Sequence, residues 1–416
     1  MRTFWWNTDC NVGPMQEALR ARVHAFAREC IRPAALAWDR MPQPQPRLAV
    51  DSPYWEVLKG AYEQGWHSAL IPSGLGGGLG LRGVDLHILY EELGWGSADI
   101  AVSLILTGLP FSYLAAARKM DLIEEVVKPF AADRKAKLIG CWALSEPEHG
   151  SDQFGIGTEE FSDLSMFAGL RSYPDGDEYV INGEKSAWVS NAAIASHMLA
   201  SLMLISDRSV AGNAIVLIPL DLPGVSVEPP VDMMGQRALA QAAVRFKDVR
   251  VPRRYVLVED ARYESELVKT LGFINAAMGA IFTGVARAAF EAAFEHARER
   301  VQGGKRLLDH QLVQKRLFEM YSAVEACRAI SRAAMLYDEA TGPLLERAIA
   351  AKTYCTGAAF QIADSALTLA GAQGLTHEHL LGKLFRDARV SLIECGSNDV
   401  LALLAARRLA SRSPQT

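Results

Sequence analysis

The sequence predicts a mainly α-helical protein with a β-domain inserted between two helical domains. Apolar residues recur every three or four positions from about residue 14 to residue 138, which is the spacing of amphipathic helices. Short and alternating apolar runs replace that spacing up to residue 251, and long alanine-rich helical segments follow. We therefore expect an N-terminal all-helical domain over residues 1–138, an antiparallel β-domain over 139–255 and a C-terminal four-helix bundle over 256–416.

Length and composition narrow the class of protein. The 416 residues are 50% hydrophobic and 22% charged, with a formal net charge of -5. Such a chain can bury a sizeable core, and without a basic face it is not expected to bind nucleic acid. We find no uninterrupted apolar run long enough to insert into a membrane and no signal peptide in residues 1–13. The six cysteines form no Cys-x-x-Cys pair, so we expect no disulfide framework, no metal site and a cytoplasmic location.

The first domain reads as a series of helices. Helical spacing predicts a helix over 15–31 that ends at Pro33, a proline-rich linker over 42–46 and a helix over 53–65. The stretch from Gly78 to Gly83 matches the dinucleotide pattern G-x-G-x-x-G. That pattern needs a strand before it and a parallel strand after its helix, whereas helices at 84–94, 98–119 and 122–130 follow here. We interpret the glycines as a loop.

The elements of the middle and last domains are predicted from the change in the spacing of apolar residues. Strands are predicted at 139–144, 166–173, 178–181, 198–205, 214–219, 225–228 and 242–249, with turns at 174–177 and at Asn182-Gly183. Helical segments are predicted at 265–300, 311–338, 343–369 and from 380 to the C-terminus. The alanines and glycines of these helices allow close backbone approach, which suits the core of an oligomer.

A loop at residues 143–152, Ala-Leu-Ser-Glu-Pro-Glu-His-Gly-Ser-Asp, is the first candidate for a functional site. Ser145 and Ser151 offer hydrogen bonds, and Gly150 lacks a Cβ, so the loop can approach a planar ring or a phosphate closely. Taken alone, the loop is equally consistent with an ordinary turn at the end of a strand.

Two further segments allow the function of this loop to be interpreted. Residues 182–191 read Asn-Gly-Glu-Lys-Ser-Ala-Trp-Val-Ser-Asn, and residues 386–398 read Arg-Asp-Ala-Arg-Val-Ser-Leu-Ile-Glu-Cys-Gly-Ser-Asn. With the loop, they resemble the acyl-CoA dehydrogenase family of flavoproteins, whose loop typically reads A-L-T-E-P-x-x-G-S-D and whose strand reads N-G-x-K-x-W-I-T-N. The resemblance covers nearly the whole chain and implies the helical, β, helical domain order and FAD as the cofactor.

The resemblance implies a set of residues around the flavin ring. A Trp and a hydroxyl on one face of a strand can pack against a flavin and hydrogen-bond to it, and Trp188 and Ser190 take those places. The loop residues implied beside them are Leu144, Ser145, Gly150 and Ser151. Lys185 and Trp188 are one residue further apart than in the family, which predicts a bulge. The alternative is a Trp188 buried in the core of the sheet.

Two C-terminal segments resemble the family's binding site for the adenosine-diphosphate half of FAD, which is formed across a subunit interface. Residues 300–311 resemble R-x-x-F-G-x-x-I/L-x-x-x-Q, and residues 366–376 resemble Q-I-L-G-G-x-G-Y/F, the segment contributed by the neighbouring subunit. The residues that carry over are Arg300, Gln302, Leu307, His310, Thr368 and Gly371. Gly303 replaces the usual Phe and Thr368 the usual Gln, and a solvated basic turn is the alternative for the first segment. His377 and His379 are expected to be ordinary loop histidines.

The catalytic base is where the sequence departs from the family. Residues 386–399 resemble R-D-A-R-x-x-x-I-Y-E-G-T-x-E/Q, in which the Glu removes the α-proton of an acyl thioester while hydride leaves Cβ for the flavin. An alignment without gaps puts Cys395 on that Glu, Glu394 on the preceding Tyr and Ser397 on the Thr beside the cofactor. A free thiol has a pKa of about 8.5 and would need help to act as a base at neutral pH. Our hypothesis is that Glu394 is the base and that Cys395 lines or replaces that site.

The rest of the substrate side also departs from the family pattern. Some members carry the Glu on the first long helix of the C-terminal domain, but residues 271–275 contain no carboxylate. Asn275 stands near the place of a substrate-side Arg in many members. Residues 235–241, Gly-Gln-Arg-Ala-Leu-Ala-Gln, differ from the common G-x-R-x-S-x-T.

The resemblance therefore implies an oxidoreductase that acts on CH–CH groups. We expect FAD-dependent α,β-dehydrogenation of an acyl-CoA or acyl-carrier-protein thioester by a homodimer or homotetramer, with electrons passing to an electron-transfer flavoprotein or to oxygen. Two alternatives stay open. One keeps the fold and FAD but performs specialised biosynthetic chemistry, such as an oxygen-using oxidation or a ring closure. The other is a catalytically inactive member that serves as a binding scaffold.

Overall fold

A computed structural model of the protein describes residues 12–156, 158, 169–206, 209–337 and 342–411. The first part of the chain is helical, as predicted. Its helices are α1 (Pro14–Phe26), α2 (Arg32–Asp39), α3 (Pro53–Glu63), α4 (Ser73–Gly76), α5 (Gly83–Gly96), α6 (Ala98–Ala116), α7 (Met120–Leu122) and α8 (Lys128–Ala132). The prediction that the first helix stops at Pro33 is wrong, because a π-helical turn, Ala27–Ile31, leads straight into α2. Pro33 lies in the first turn of α2, where its missing N–H needs no partner.

The middle part of the chain is one sheet with its strands in the order β6-β7-β3-β2-β4-β5-β8, and β1 is also paired with β4. The strands are β1 (Gly140–Ala143), β2 (Arg171–Asp175), β3 (Glu178–Val189), β4 (His197–Ser206), β5 (Ser209–Pro219), β6 (Val225–Val227), β7 (Ala242–Pro252) and β8 (Val256–Glu259). Most pairs are antiparallel, as predicted, but β1 and β2 both run parallel to β4. The first residues of the strand predicted at 166–173 lie outside the described part of the chain.

One predicted turn is part of a strand. Asn182-Gly183 was expected between two strands, yet β3 runs through it with a shift in its pairing to β7 between Ile181 and Gly183. The side chain of Asn182 pairs across the sheet with Asp248, whose backbone N–H donates to Asn182 Oδ1 over 2.9 Å. Gly183 absorbs the irregularity with a φ of 129°, which an L-residue rarely adopts.

The last part of the chain is helical again. It holds the long helix α9 (Tyr263–Glu299), a short hairpin of β9 (Val301–Gln302) and β10 (Lys305–Arg306), and the helices α10 (Gln311–Met335), α11 (Leu345–Ala370), α12 (Leu380–Ser391) and α13 (Asn398–Ser411). The helix predicted over 311–338 ends at Met335, and its last predicted residue lies outside the described residues. Helices α9, α10 and α11 pack on one another and α5 packs on α9, so the first and last domains share a core.

Two glycines set how closely α5 and α9 approach. A Cβ added to Gly284 would lie 2.0 Å from the carbonyl oxygen of Glu91, and one added to Gly94 would lie 2.2 Å from that of Ile281. No side chain larger than hydrogen fits either position, because backbone lies opposite backbone. The two helices therefore cross in direct contact.

Beside this crossing lies a buried group of charges, which we call the arginine cluster: Glu91, Glu92, Arg287 and Arg328. Arg287 donates to Glu91 over 2.8 Å and to Glu92 over 2.5 Å, and Arg328 donates to Glu91 over 2.8 Å. Burial alone would raise the pKa of Glu92, but Arg287 and a hydrogen bond from His24 lower it to about 2. Both carboxylates are therefore charged and paired with arginine inside the helical core.

Two helices are long and apolar enough to cross a membrane by length and composition alone. These are α6 and α9, and 89% and 100% of their most apolar windows are buried against the rest of the protein. Neither helix is an uninterrupted apolar run, since α6, for example, contains Asp99, Ser103 and Thr107. Two such helices are weak evidence for a membrane span, because buried core helices satisfy the same test.

Candidate active site

The loop at residues 143–152 is fixed to β3 by a buried ion pair. Glu146 accepts a hydrogen bond from Lys185 Nζ over 2.9 Å and two more from the backbone N–H groups of Gly169 and Leu170. Lys185 also donates to the carbonyl of Leu144 over 2.9 Å, and burial lowers the pKa of this lysine. The loop thus has a rigid attachment that the sequence reasoning did not identify.

The predicted serines of this loop are oriented by neighbouring residues. Ser145 Oγ lies 2.7 Å from Ser186 Oγ on β3, and Ser151 Oγ accepts a hydrogen bond from the backbone N–H of Ser397 over 3.0 Å. The second contact joins the loop to the segment that carries the predicted base. Leu144 is buried, whereas Gly150 is exposed and a Cβ there would have no protein atom within 4 Å.

Trp188 is exposed, whereas Ser190 is buried. The indole is 57% exposed, so the alternative of a Trp buried in the sheet core is wrong. Ser190 is buried and accepts a hydrogen bond from Gln241 Nε2 over 3.2 Å. The predicted bulge is confirmed, because the pairing of β3 with β7 shifts between Lys185 and Val189. An exposed aromatic face beside a bulge offers a flat ring a place to pack.

The structure brings most of the second predicted set together in one cleft. The cleft, of about 450 Å³, lies where the C-terminal ends of α9 and α11 meet. Its lining includes five predicted residues: Arg300, Gln302, Leu307, Thr368 and Gly371. The sixth, His310, lies behind them and contacts the carbonyl of Gln302 through Nε2 over 2.9 Å.

The Gly-Gly turn explains why the family's Phe is absent. Gly303 and Gly304 connect β9 to β10 with φ values of 64° and 82°, the conformation that a two-residue hairpin turn of this kind requires. A Phe at position 303 would be strained there. The turn places the exposed guanidinium of Arg300 at the mouth of the cleft, where a planar fork of donors suits a phosphate.

The cleft is far from the serine loop within one chain. Lys352 lies beneath the turn with the predicted base, and Thr368 lines the cleft, and both belong to α11. Sixteen residues of helix separate them, which is about 24 Å at 1.5 Å per residue. The two predicted sets of cofactor residues therefore occupy different regions of the protein.

The turn between α12 and α13 carries the predicted base and is tightly held. Lys352 Nζ donates to the carbonyl of Gly396 over 2.8 Å and to Asn398 Oδ1 over 2.7 Å. Cys395 has a φ of 54°, a left-handed conformation that is uncommon for a residue with a side chain. Since these hydrogen bonds and a strained backbone converge here, the position of Glu394 is well defined.

Glu394 is held at one oxygen and free at the other. Gln236 Nε2 donates to its Oε2 over 2.7 Å, while Oε1 is buried without a protein partner. Burial raises the pKa of Glu394 to about 7, although Gln236 and Lys352 act in the opposite direction. Burial, with Glu394 beside it, raises the pKa of the Cys395 thiol above its ordinary value. At neutral pH, Glu394 can exchange a proton and Cys395 is a thiol.

The groups around Glu394 form a second buried charge network, which we call the base cluster: Glu394, Gln236, Asp387, Lys383, Asp99 and Lys352. Lys383 lies 2.6 Å from Asp387 Oδ2 and 3.3 Å from Asp99 Oδ2. Burial raises the pKa of Asp387 to about 6 despite Lys383, and burial lowers that of Lys352 to about 8. Three carboxylates face two ammonium groups, so acceptance of a proton by Glu394 balances the buried charge.

The sequence reasoning missed most of this cluster. Its members come from α6, α11, α12, the turn after α12 and the segment before β7, far apart along the chain. The signal that was present is a charged residue such as Lys352 within a stretch of small residues in the middle of a helix. Asn275, noted near the substrate side, is fully buried and donates to the Leu271 carbonyl over 2.8 Å, with Oδ1 unpartnered.

Other parts of the described chain contribute less to this site. His379 caps α12 by accepting a hydrogen bond from the N–H of Leu381 over 3.2 Å. Within the described ranges, no three His, Cys, Asp or Glu side chains are grouped so that they could hold a metal ion. A separate cleft of about 730 Å³ between α6 and α9 is lined by none of the predicted site residues.

Comparison with known proteins identifies the family. Three family models match in succession: the acyl-CoA dehydrogenase N-terminal domain over residues 13–136, the middle domain over 141–249 and the C-terminal domain over 267–410. The benzylmalonyl-CoA dehydrogenase of Aromatoleum aromaticum is 30% identical over 97% of this chain and 100% of its own. The cyclohexane-1-carbonyl-CoA dehydrogenase of Geobacter metallireducens is 29% identical over 97% of this chain and 98% of its own.

Solved structures share the fold at lower sequence identity. The butyryl-CoA dehydrogenase of Megasphaera elsdenii has a TM-score of 0.84 at 22% identity and covers 97% of this chain and 100% of its own. A nitroalkane oxidase has a TM-score of 0.86 at 21% identity and covers 98% of each chain. With the three domains in the family's order and the family motifs in place, the chain belongs to the acyl-CoA dehydrogenase family and is an oxidoreductase of the class that acts on CH–CH groups.

Proposed function

We propose that this protein oxidises an acyl thioester, carried on CoA or on a carrier protein, to its α,β-unsaturated form with FAD as cofactor. The observation that carries the proposal is the buried Glu394 carboxylate, which has one oxygen held by Gln236 and the other without a protein partner. A base that removes a weakly acidic C–H proton must be desolvated, positioned and close to neutral in pKa. Glu394 has these properties in this chain.

Glu394 is a better candidate for the base than Cys395. The pKa of Glu394 is raised to about 7, so a large fraction is ionised at neutral pH. The pKa of the Cys395 thiol is raised by burial, so little thiolate forms, and the thiolate is the reactive form of cysteine. In this proposal Glu394 Oε1 takes the α-hydrogen as a proton, and Cys395 lines the site.

The reaction removes two hydrogens from adjacent carbons. The Cα–H bond breaks, its hydrogen goes to Glu394 as a proton, and the electron pair forms the Cα–Cβ double bond while hydride leaves Cβ. FAD, when bound, supplies the acceptor for that hydride. The fixed turn from Glu394 to Asn398 positions the base, and the contact of Ser151 with Ser397 holds that turn against the loop at 143–152.

The residues present fit a flavin cofactor. Trp188 presents an exposed indole, and no protein atom stands near the Cβ position of Gly150. Ser145, Ser151 and Ser190 supply hydroxyl groups beside them. The cleft at Arg300 supplies a cation and an open Gly371 backbone with a φ of 62°.

A second copy of the chain completes the cofactor site in this proposal. Since Lys352, beneath the turn with Glu394, and Thr368, in the Arg300 cleft, lie about 24 Å apart along α11, we propose that one chain binds the flavin ring and its neighbour the adenosine-diphosphate half, in a homodimer or homotetramer. An electron-transfer flavoprotein or oxygen would then reoxidise the enzyme. We also propose a cytoplasmic location, because the five described cysteines are free thiols.

Anaerobic mixing of the purified protein with a panel of acyl-CoA thioesters tests the function. We expect the flavin absorbance to bleach in the wild type and in Cys395→Ala. In Glu394→Gln the rate of bleaching should fall by about 10²–10⁴-fold, the usual contribution of a general base. Bleaching that survives in Glu394→Gln but not in Cys395→Ala would move the base to the cysteine.

The same experiment separates the alternatives. Protein that holds FAD but is bleached by none of the thioesters would favour the specialised chemistry, and protein that purifies without yellow colour would favour a binding scaffold. Adding an electron-transfer flavoprotein or oxygen to the bleached enzyme then identifies the electron acceptor by the faster return of the absorbance.

A further inference from the structure

Gln236 has an unusual backbone and is fixed on all sides. It is 1% exposed and has a φ of 50°, a conformation that costs free energy unless the surroundings enforce it. The preceding Gly235 lies directly on α12, where a Cβ would stand 2.3 Å from the carbonyl oxygen of Arg386. The N–H of Gln236 donates to Asp387 Oδ1 over 2.6 Å. The strained residue is therefore held in place by α12.

The side chain of Gln236 reaches the proposed base. Its Nε2 lies 2.7 Å from Glu394 Oε2, and its own Oε1 is buried without a protein partner. Chemistry fixes the orientation of the amide, because an ionised carboxylate accepts hydrogen bonds only and must face the NH₂ group. The hydrogen bond immobilises Oε2 and leaves Oε1 as the free acceptor.

An ion pair anchors Gln236 in turn. Asp387 accepts from the Gln236 N–H through Oδ1 and from Lys383 through Oδ2 over 2.6 Å. Lys383 also reaches Asp99 at the start of α6, and Asp99 accepts from the backbone N–H of Ala238 over 3.2 Å. Two buried carboxylates thus hold both ends of the short segment from Gln236 to Ala238.

We infer that Gln236 is the positioning residue of the base: its amide fixes Glu394 at Oε2 so that Oε1 faces the α-hydrogen of the substrate. This inference rests on the proposed function, in which Glu394 is the base. The residue sits at a variable position of the family motif G-x-R-x-S-x-T, while Glu394 sits where the family has Tyr. The hydrogen bond therefore joins a residue that the motif leaves free to vary with the departure at Glu394.

An amide is suited to a base that changes protonation state. Its NH₂ group donates to the carboxylate before the reaction. After Glu394 has accepted the proton, rotation of the amide by 180° presents Oε1 as an acceptor to the carboxylic acid. Gln236 can therefore hold Glu394 in both states, which a residue with donors only, such as lysine, cannot do.

The test is a direct titration of Glu394 in the purified holoenzyme. The carboxyl band is followed by infrared difference spectroscopy from pH 5 to 10, with Glu394→Gln as the blank. The charged and titratable groups facing Glu394 are Lys352 from α11, Lys383 and Asp387 from α12, Asp99 from α6 and the Cys395 thiol. Because the hydrogen bond from Gln236 favours the ionised form, Gln236→Met should raise the midpoint of Glu394 by about one pH unit.

Kinetics supply the second measurement. In Gln236→Met we expect flavin bleaching about 10-fold slower at pH 7, of which the raised midpoint accounts for about 5-fold, a part that disappears at pH 9. The lost positioning leaves bleaching about 2-fold slower at pH 9, with the concentration of thioester at half-maximal rate changed less than about 2-fold. Gln241→Met is the matched control: the same residue type, also buried, but bonded to Ser190, and it should leave the Glu394 midpoint in place. Gln236→Glu keeps the side-chain shape and should also raise the midpoint, so it replaces the first variant if that one does not fold.

Failure of this inference can be told apart from failure of the proposed function. A wild type that no thioester bleaches refutes the function. A wild type that is bleached, with a strong loss in Glu394→Gln but an unchanged midpoint and rate in Gln236→Met, refutes the role of Gln236 alone. A midpoint that moves equally in Gln241→Met also refutes it.

Discussion

The two buried charge clusters of this protein contain similar groups, but the pKa values of two carboxylates of the base cluster shift in the opposite direction from those of the arginine cluster. The third, Asp99, has a lowered pKa because Lys383 and hydrogen bonds outweigh its burial. In the arginine cluster, two carboxylates meet two guanidinium groups, and the pKa of Glu92 is lowered to about 2 in spite of burial. In the base cluster, three carboxylates meet two ammonium groups, and burial raises the pKa of Asp387 to about 6 and that of Glu394 to about 7. Both clusters lie deep in the same helical core.

The difference follows from the partners. A guanidinium offers five donors in a fixed plane and satisfies two carboxylates at once, so the arginine cluster is fully charged and serves the fold. An ammonium group is a point charge without a fixed plane of donors. Lys352 donates hydrogen bonds to Gly396 and Asn398 rather than to Glu394. The base cluster therefore keeps the pKa values of several groups, including Glu394, near neutrality, which is a property that catalysis needs.

The largest expected effect is on stability at the arginine cluster. Arg287→Met leaves Glu92 and part of Glu91 buried without their partner, and we expect the free energy of unfolding to fall by about 3–5 kcal/mol at pH 7 in urea denaturation. Arg250→Met removes an exposed arginine that pairs with Asp175 and Glu178, and should leave the free energy of unfolding nearly unchanged. Equal losses in the two variants would mean that the arginine cluster does not carry the stability.

A smaller effect is expected at Lys383. Lys383→Met also breaks a buried pair, but Asp387 can respond by binding a proton, so we expect a loss of roughly 2–4 kcal/mol at pH 8. Without Lys383 the pKa of Asp387 in the folded state rises further above its unfolded value. The cost is then present at high pH and is relieved as the pH falls. Urea denaturation at pH 8 and pH 5.5 checks this, and a loss that is the same at both values would contradict it.

The smallest expected effect on stability comes from replacing one buried Glu by Gln, and it has opposite signs in the two clusters. Because the folded pKa of Glu394 is raised from about 4.5 to about 7, wild type loses stability as the pH rises through that interval. Glu394→Gln should therefore be more stable than wild type by about 1–3 kcal/mol at pH 8 and equal to it near pH 4.5. Glu91→Gln should be less stable at pH 8, since its arginine partners hold the pKa of Glu91 below its ordinary value despite burial. Thermal unfolding at both pH values measures these differences, and a Glu394→Gln variant that is destabilised at pH 8 would argue against the raised pKa.

The order of the domains was predictable from the sequence because periodicity reports which face of a helix or strand is buried. Strand partners are not encoded in that way. Nothing in the alternation of β1 or β2 reveals that both run parallel to β4, and Asn182-Gly183 was misread because Asp248, which pairs with Asn182, is 66 residues away. Pro33 was misread because a proline in a first turn looks, in sequence, like one that ends a helix.

The candidate site likewise has a part that the sequence could predict and a part that it could not. The loop at 143–152 and the hairpin at Arg300 are each continuous in sequence, so their residues could be named in advance, and the cleft does collect five of the six C-terminal residues. The base cluster could not be found, because Asp99, Gln236 and Lys383 come from three distant segments and meet only after folding. The one-residue offset between Cys395 and Glu394 was visible in the sequence, but the hydrogen bond from Gln236 to Glu394 was not.

The glycine crossing of α5 and α9 has a consequence for how this protein can evolve. Gly284 lies against the backbone carbonyl of Glu91 on α5, and Arg287, which pairs with the Glu91 side chain, lies about one turn further along α9. A methyl group at either glycine would push the helices apart and lengthen the contact between these charges as it did so. The packing of the two helices and the ion pairs beside it therefore constrain the same positions in evolution. We expect that neither Gly94 nor Gly284 can be replaced, even by alanine.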